Sequence, residues 1–137
     1  MPESIAYFEH GADMGIIGRG ARIEEAFEHA ASAVFAAMTD LGEVRPQACV
    51  AIEFDEPDPE LALVTWLNRL LGEARSLALI FGRFHLHRAG VHWSGTAEGE
   101  PWRADMERGT EVKGATLTGL AVTQREGLWE ARCVVDV

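Results

Sequence analysis

The chain has 137 residues, with 22 acidic and 12 basic residues and a formal net charge of −10 at pH 7. Hydrophobic residues make up 47% of the chain and charged residues 25%, which are globular values and exclude general disorder. A chain of this length is expected to form one domain, residues 1–137, around one hydrophobic core.

The excess of acidic residues argues against two classes of partner. Nucleic-acid affinity comes mainly from Lys and Arg side chains that neutralise phosphates, so we expect no stable direct nucleic-acid binding. The same charge argues against docking on an anionic membrane, and the sequence has no apolar run of the roughly 18 residues needed to span a bilayer. The first residues lack the layout of a signal peptide, so we expect a cytoplasmic protein.

The cysteines and the lysine are informative because they are few. Cys49 and Cys133 lie in apolar, strand-like stretches, which predicts two buried, reduced thiols. The sequence contains no CxxC pair and no Cys/His spacing typical of a zinc site. Lys113 is the only lysine of the chain, so no other lysine can substitute for it.

Two amphipathic helices are predicted. Apolar residues recur at helical spacing over residues 23–38, and acidic residues occupy the outer face. A second helix is predicted to begin at Asp58-Pro59, an acidic N-cap followed by a proline at the first helical position. Its apolar face is formed by five residues: Leu63, Leu67, Leu70, Leu71 and Ala74.

Most of the remaining chain alternates between apolar and polar residues, which predicts β-strands. Turns are predicted at Ala89-Gly90 and Glu126-Gly127. The predicted strands lie near residues 5–8, 16–17, 50–54, 84–87, 91–93, 120–122 and 129–137. Two helices laid over one mainly antiparallel sheet would bury both apolar helix faces, so the predicted fold is a two-layer α+β sandwich.

The segment from His10 to Gly15 is the first candidate for chemistry. Asp13 lies between Gly11 and Gly15, and glycines permit the backbone angles of a tight loop that presents a carboxylate to solvent. The alternative is an ordinary turn in which the Asp13 side chain bonds its own backbone.

The last residues carry a second group of acids. Strand alternation places Asp136 on the face opposite Cys133, and the α-carboxylate of Val137 follows directly. If Asp13 converged on them, three carboxylates would be crowded together and would favour a hard cation such as Ca²⁺ or Mg²⁺. Local sequence does not indicate that the two ends of the chain meet, and an acid-rich chain places acids at many positions by chance.

Two further groups give weaker signals. Lys113, in a glycine-flanked segment, could face a phosphate or an acidic partner, although a solvated lysine is more common. With the turn predicted at Ala89-Gly90, His87 would stand opposite His92 with His85 on the same face, which is a plausible transition-metal face.

Several segments form an ordered set of motifs along the chain. They are Phe8-Glu9-His10-Gly11-Ala12-Asp13-Met14-Gly15-Ile16, Glu24-Glu25-Ala26-Phe27-Glu28-His29-Ala30-Ala31 running into Met38-Thr39-Asp40, Trp66-Leu67-Asn68 with Leu70-Leu71, Gly109-Thr110-Glu111-Val112-Lys113 and Val134-Val135-Asp136-Val137. Together they resemble the archease family, and the first is similar to its H-x-A-D-x-G signature. The similarity extends from about Ile5 to the last residue. Each motif is weak alone, and their order over a chain of this length makes the resemblance specific.

Archeases are small protein cofactors of the RtcB-type tRNA-splicing RNA ligase, which works through a guanylylated histidine with Mn²⁺. The resemblance therefore implies that this chain is not an enzyme. It implies an activator that promotes ligase guanylylation and multiple turnover in tRNA splicing or RNA repair, in a chaperone-like role. An acidic activator of this kind need not hold RNA itself.

The resemblance also implies site residues. A divalent cation, Ca²⁺ or Mg²⁺, with Mn²⁺ possible in the ligase complex, would be bound by Asp13, Asp136 and Val137. Ligase activation would depend on Lys113. His10 belongs to the same motif as Asp13, and Glu111 belongs to the same motif as Lys113. Both are expected to contribute to activation.

The chain departs from the family in two places. Leu117-Thr118 stand where archeases often have Tyr-His, so an aromatic or imidazole group beside Lys113 is in question. Ala21 and Arg22 stand where the first long helix often opens with Ser or Thr, a change that removes an N-cap worth about 1 kcal/mol.

Two other functions stay open on the residues alone. A small metal-dependent hydrolase would use the carboxylates or the face formed by His85, His87 and His92. Its acid–base group would be His10 or a carboxyl group of raised pKa near a cleft. A plain interaction module would have no functional ion.

Overall fold

The computed structural model describes residues 3–137. Both predicted helices and the predicted turn at Glu126-Gly127 are present. No helix within these residues is both long and apolar enough to cross a membrane. The elements, in chain order, are β1 (Ile5–His10), β2 (Asp13–Gly20), α1 (Ile23–Ala36), a 3₁₀ turn (Leu41–Glu43), β3 (Ala48–Asp55), α2 (Pro59–Leu77), β4 (Leu79–Ala89), β5 (His92–Pro101), β6 (Gly114–Ala115), β7 (Ala121–Arg125) and β8 (Leu128–Asp136).

The strands divide between two antiparallel sheets. The larger sheet has the order β1-β2-β8-β6, with β7 also paired to β8, and the smaller has the order β3-β5-β4. The α+β class with two helices and antiparallel strands is thus confirmed, with two sheets where one was predicted. Periodicity identifies the buried face of a strand but not its partner strand, so the sequence pattern could not separate the sheets.

Helix α1 joins the two sheets into one core. It packs against β2 and β8 of the larger sheet and against β4 of the smaller sheet. Its predicted apolar stripe is buried, with Phe27 and Val34 fully excluded from solvent. The helix lies very close to β2 at Gly18, which has no side chain. A Cβ at this position would overlap the backbone of Ala30.

The two helix starts differ as the sequence predicts. Asp58 caps α2, where its Oδ1 accepts a hydrogen bond from the Glu60 N–H at 2.9 Å. Arg22 occupies the N-cap of α1 in an extended conformation, and its side chain makes no capping hydrogen bond. Glu25 satisfies a neighbouring group instead, because its Oε1 accepts a hydrogen bond from the Ala21 N–H at 3.0 Å.

Three aromatic side chains hold α1, α2 and β5 together. Trp66 of α2 is fully buried, and its Nε1 donates to the Phe27 carbonyl at 3.0 Å. The Phe27 ring stacks on Trp93 of β5 with a centroid distance of 5.0 Å. Helix α2 is therefore anchored to the core through the first residue of the Trp66-Leu67-Asn68 motif.

The two cysteines have different environments. Cys133 of β8 is fully buried, and burial raises the pKa of its thiol to about 12. Cys49 is exposed, so the prediction of a second buried thiol was wrong. The reason is strand alternation: Ile52 faces the core from β3, whereas Cys49 shares the outer face with its cross-strand partner Glu98.

Candidate functional site

One end of the larger sheet brings together the predicted residues of the first motif and of the last strand. His10 pairs with Asp13 where β1 meets β2, and Asp136 pairs with Gly114 where β8 meets β6. Between them Met14 pairs with Val135, so one step further along the same strands Asp13 stands opposite Asp136. The side chains of cross-strand neighbours share a face, so His10, Asp13 and Asp136 form one row across three strands.

This row lies on the face of the sheet directed away from α1. Val135 and Cys133 are fully buried on the helix side, whereas Asp136 is exposed and Asp13 is half-buried. We call Asp13, Asp136 and the adjoining Val137 the carboxylate corner. The corner contains the three residues for which the resemblance implied a cation site, and two of them stand at one register position.

Glycines determine the geometry of the strand pair that presents Asp13. Gly11 has a φ of 60° at the first central position of the two-residue turn between His10 and Asp13, as a type II′ turn requires. Gly15 lies beneath the Phe8 ring, and a Cβ at this position would overlap that ring. The alternative in which Asp13 bonds its own backbone does not occur, because Asp13 acts as an ordinary strand residue at the register position opposite His10.

Lys113 is held beside the corner by its main chain. Its N–H donates to the Asp136 carbonyl at 2.8 Å, and its own carbonyl accepts a hydrogen bond from Arg75 Nη2 at 2.8 Å. The Lys113 side chain is exposed, and it forms no ion pair with any group in residues 3–137. The ammonium group is therefore free to meet a partner, on a segment whose main chain is bonded to Asp136.

Helix α2 contributes two positioning residues that the sequence analysis missed. Asn68 pairs with Ala115 of β6 as a neighbouring strand would: its Oδ1 accepts from the Ala115 N–H at 2.8 Å and its Nδ2 donates to the Ala115 carbonyl at 3.2 Å. Arg75 holds the carbonyl of Lys113. Asn68 belongs to the Trp66-Leu67-Asn68 motif, but only the tertiary structure shows that its side chain reaches the segment carrying Lys113.

The donor set at the corner is suited to a hard cation. The two side chains offer carboxylate oxygens, and Val137 adds main-chain or carboxylate oxygens, which are the ligands that Ca²⁺ and Mg²⁺ prefer. No group of three or more His, Cys, Asp or Glu side chains in residues 3–137 could hold a metal ion. The corner has only two such side chains, so a cation there would need the main-chain oxygens and further ligands from water or a partner.

Glu111 lies in a different feature from the carboxylate corner. It is exposed and lines a cleft between α2 and the segment of residues 102–112, whereas Lys113 does not line that cleft. The Gly109 and Thr110 N–H groups donate to the Met38 and Ala37 carbonyls, each at 2.8 Å, and so satisfy carbonyl groups at the end of α1. This segment is therefore fixed to the end of α1, and Lys113, which follows it, is bonded to Arg75 of α2.

The segment that departs from the family lies over β8. The Val134 N–H donates to the Thr118 carbonyl at 3.0 Å, and the Thr116 Oγ1 donates to the Val134 carbonyl at 2.8 Å. The Leu117 side chain is 65% exposed. Because the contact at Thr118 uses its main chain, it needs no aromatic or imidazole side chain at Leu117-Thr118.

The predicted pairing of His87 with His92 was wrong, because the strand register differs from the predicted one. Ala89 pairs with His92, so the hairpin turn is Gly90-Val91, and His87 stands opposite Ser94 and not opposite His92. His92 instead bonds two carboxylates of β3, with Nδ1 2.7 Å from Asp55 Oδ1 and Nε2 3.3 Å from Glu53 Oε1. The three histidines share the outer face of the smaller sheet but do not converge on one point.

Comparison with known proteins decides the family. A model of the Archease protein family matches residues 6–137 of the chain. The chain belongs to the archease family. Among archeases, the protein from Sulfolobus acidocaldarius is 38% identical over 134 residues, which is 96% of each chain. The archease from Methanothermobacter thermautotrophicus is 33% identical over 135 residues, also 96% of each chain.

Solved structures agree with this assignment. The solution structure of Methanobacterium thermoautotrophicum protein 1598 matches with a TM-score of 0.84 and 30% identity, over 98% of this chain and 99% of that chain. The crystal structure of a Thermotoga maritima archease, described there as a possible chaperone, has a TM-score of 0.67 at 20% identity over 95% and 94% of the two chains. The second likeness concerns the fold alone, and both confirm the α+β class.

Proposed function

We propose that this chain is a non-catalytic protein cofactor of an RtcB-type RNA ligase, which it activates by promoting guanylylation and multiple turnover. One observation carries the proposal: the register of β2 and β8 sets Asp13 opposite Asp136, with the main chain of Lys113 bonded to Asp136. The carboxylate corner offers a set of oxygen donors, and the adjoining segment carries an exposed lysine without an ion pair in residues 3–137. Membership of the archease family supports this role.

The carboxylate corner is the cation site in this proposal. Asp13 and Asp136 would bind Ca²⁺ or Mg²⁺ together with a main-chain oxygen of Val137, and the cation would neutralise two like charges that the register places side by side. His10, at the next position in the row, would orient the group that the ligase offers. The exposed edge lets the ligase supply the remaining ligands.

Lys113 supplies a point charge toward the ligase or its nucleotide. Because its main chain is bonded on both sides, by Asp136 and Arg75, the side chain leaves the surface from a fixed position. Glu111 precedes it in the same segment and lies on the side of the cleft. The net charge of −10 is consistent with a partner that is a protein, since RNA would be repelled.

The decisive test measures ligase guanylylation and product turnover with the purified cognate ligase. Asp13→Asn and Asp136→Asn keep the size of the side chain but remove the charge, so each is expected to reduce stimulation at least about tenfold. The matched control is Glu9→Gln, an exposed acid on β1 whose side chain points to the other face of the sheet from the row.

The control decides how the result is interpreted. Wild-type stimulation by Glu9→Gln, together with loss in both Asp variants, supports the proposed site. Equal stimulation by all four proteins would show that the carboxylate corner has no part in activation. A wild-type chain that stimulates neither guanylylation nor turnover would contradict the proposed function itself.

A second readout locates the ligase. Lys113 is the only lysine of the chain, so an amine-reactive crosslinker has a single side-chain target. A crosslink from Lys113 to the ligase is expected, and Lys113→Arg, which keeps the charge but removes the reactive amine, should abolish it. A complex that co-elutes intact and yields no crosslink from Lys113 would place the interface elsewhere.

A further inference from the structure

The cleft beside the carboxylate corner is a second feature able to bind a ligand. It has a volume of about 430 Å³, which is within the range of small-molecule sites. One wall is formed by α2 and the other by the segment of residues 102–112, which is fixed to the end of α1 by the hydrogen bonds of Gly109 and Thr110. The wall formed by this segment is thus held in place by main-chain contacts.

Two arginines, Arg75 and Arg108, line this cleft. The guanidinium carbon of Arg108 lies 4.0 Å from the centroid of the Trp102 ring, a cation–π contact that restrains the side chain. Arg75 uses Nη2 to hold the Lys113 carbonyl, so its guanidinium group is also fixed. Neither arginine forms an ion pair within the described residues 3–137.

The charge of the cleft is opposite in sign to that of the chain. Its charged lining residues are Arg75, Arg108 and a single acid, Glu111, in a protein whose net charge is −10. The planar fork of an arginine matches carboxylate and phosphate groups. Neither arginine is paired with a carboxylate of the described residues 3–137. The cleft is therefore suited to binding one anionic group.

The rest of the lining is suited to a planar apolar body. Half-buried Trp102 lines the cleft together with apolar side chains of the core, and the lining residue Glu111 can accept a hydrogen bond from an N–H group carried by a ring. A flat ring can stack on a restrained guanidinium–indole pair while its edge meets the carboxylate. The larger apolar side chains of the lining are Met38, Leu71, Leu79, Trp102 and Val112.

We propose that this cleft binds a small anionic ligand built on a planar ring with N–H groups, its anion held by Arg75 and Arg108 and its ring packed beside Trp102. A nucleotide and an aromatic carboxylate are the two sources of this chemistry. The proposal concerns the isolated chain and does not depend on ligase activation. The cleft and the carboxylate corner are joined through Arg75 and the main chain of Lys113.

Calorimetric titration of the purified chain tests the proposal with four probes: AMP, adenosine, inorganic phosphate and indoleacetate. AMP is expected to bind more tightly than adenosine or phosphate, because only AMP has both the ring and the anion. Arg108→Gln should weaken AMP about tenfold, the cost of losing a hydrogen bond to a charged group. Arg125→Gln is the matched control, an exposed arginine of β7 that does not line the cleft.

Each outcome decides for or against the cleft. Binding of indoleacetate without AMP, lost in Arg108→Gln, supports the site with a carboxylate as its anion. Equal binding of AMP and phosphate removes the role of the ring and overturns the proposal. It is also overturned by no binding of any probe at about 1 mM, or by equal weakening in Arg108→Gln and Arg125→Gln.

Discussion

His92 is the residue whose surroundings most clearly link charge to stability. Its imidazole lies between Asp55 and Glu53 on the outer face of the smaller sheet, with ring nitrogens 2.7 and 3.3 Å from their carboxylate oxygens. The hydrogen bond to Asp55, followed by that to Glu53, raises the pKa of His92 above its ordinary value. The protonated imidazole therefore connects β5 to β3 across the sheet.

The pH dependence of stability follows from the sign of this shift. A histidine with a raised pKa in the folded state stabilises the fold fully below its unfolded pKa of about 6.5, and the contribution is lost as pH rises through the folded pKa. His92→Gln is therefore expected to lower the melting temperature at about pH 5.5 and to have little effect at about pH 9. Thermal melts across this range measure the difference.

His87→Gln is the control for this prediction. His87 is exposed on the same face and forms no ion pair in residues 3–137, so its replacement should not reproduce the pH dependence. A His92→Gln difference that stays constant or grows with pH would contradict the assigned role of the Asp55 and Glu53 contacts.

At the scale of elements, β6 is the part of the site that depends most on contacts with other elements. It has two residues, Gly114 and Ala115, and is paired with β8 on one side. On the other side the amide of Asn68 takes the place of a strand by bonding both main-chain groups of Ala115. Helix α2 therefore holds the segment that carries Lys113, although this helix contributes no residue to the carboxylate corner.

Asn68→Ala is expected to loosen β6 while the core stays intact. Two hydrogen bonds at an exposed position are lost, so the free energy of unfolding should fall by about 1 to 2 kcal/mol. The Ala115 amide, which donates to Asn68 Oδ1, should exchange with solvent faster than in the wild type. Hydrogen exchange followed by NMR, with denaturant unfolding, measures both effects.

The neighbouring Arg69→Ala provides the comparison. Arg69 is also exposed on α2, and its contact with the Glu53 carbonyl is long, at 3.4 Å, so its replacement should change the stability by less than about 0.5 kcal/mol. An unchanged exchange rate for Ala115 in Asn68→Ala would mean that β8 alone holds β6.

The elements show what a sequence pattern can and cannot predict. Helical spacing and the Asp58-Pro59 start predicted both helices, because these signals are local. The hairpin turn between β4 and β5 lies one residue later than predicted, and this single step moved His92 away from His87. Register depends on contacts across the sheet, which local spacing does not contain.

At the scale of the whole molecule, the candidate site depends on strands from opposite ends of the sequence. Local reading identified Asp13 and Asp136 as candidates from their neighbours, and only the family resemblance implied that they meet. Pairing of β2 with β8 places them at one register position. Asn68 and Arg75 could not be recognised because their role depends on how α2 lies against β6.

Cation binding should stabilise the whole fold. A ligand that binds only the folded state at one hundred times its dissociation constant adds about 2.7 kcal/mol, so Ca²⁺ or Mg²⁺ is expected to raise the melting temperature. Asp136→Asn should lose this increase. Without added cation the same variant should be no less stable than the wild type, because a like-charge repulsion is removed. Scanning calorimetry with and without the ion measures both effects.

Glu9→Gln is again the control, because it distinguishes binding at the carboxylate corner from a general effect of surface charge. It lowers the net negative charge by the same amount and should retain the full increase in melting temperature with the ion. If Asp136→Asn and Glu9→Gln respond to the ion equally, the stabilisation comes from general screening of an acidic chain and not from the carboxylate corner.

The pairing of β2 with β8 gives a cation at this corner the properties of a removable cross-link. An ion shared by Asp13 and Asp136 closes a loop that contains nearly the whole chain, and closing a longer loop removes more freedom from the unfolded state. Removing the ion would therefore mainly increase how often the two ends of the chain separate. A partner that binds this corner would in effect sense whether the protein is completely folded.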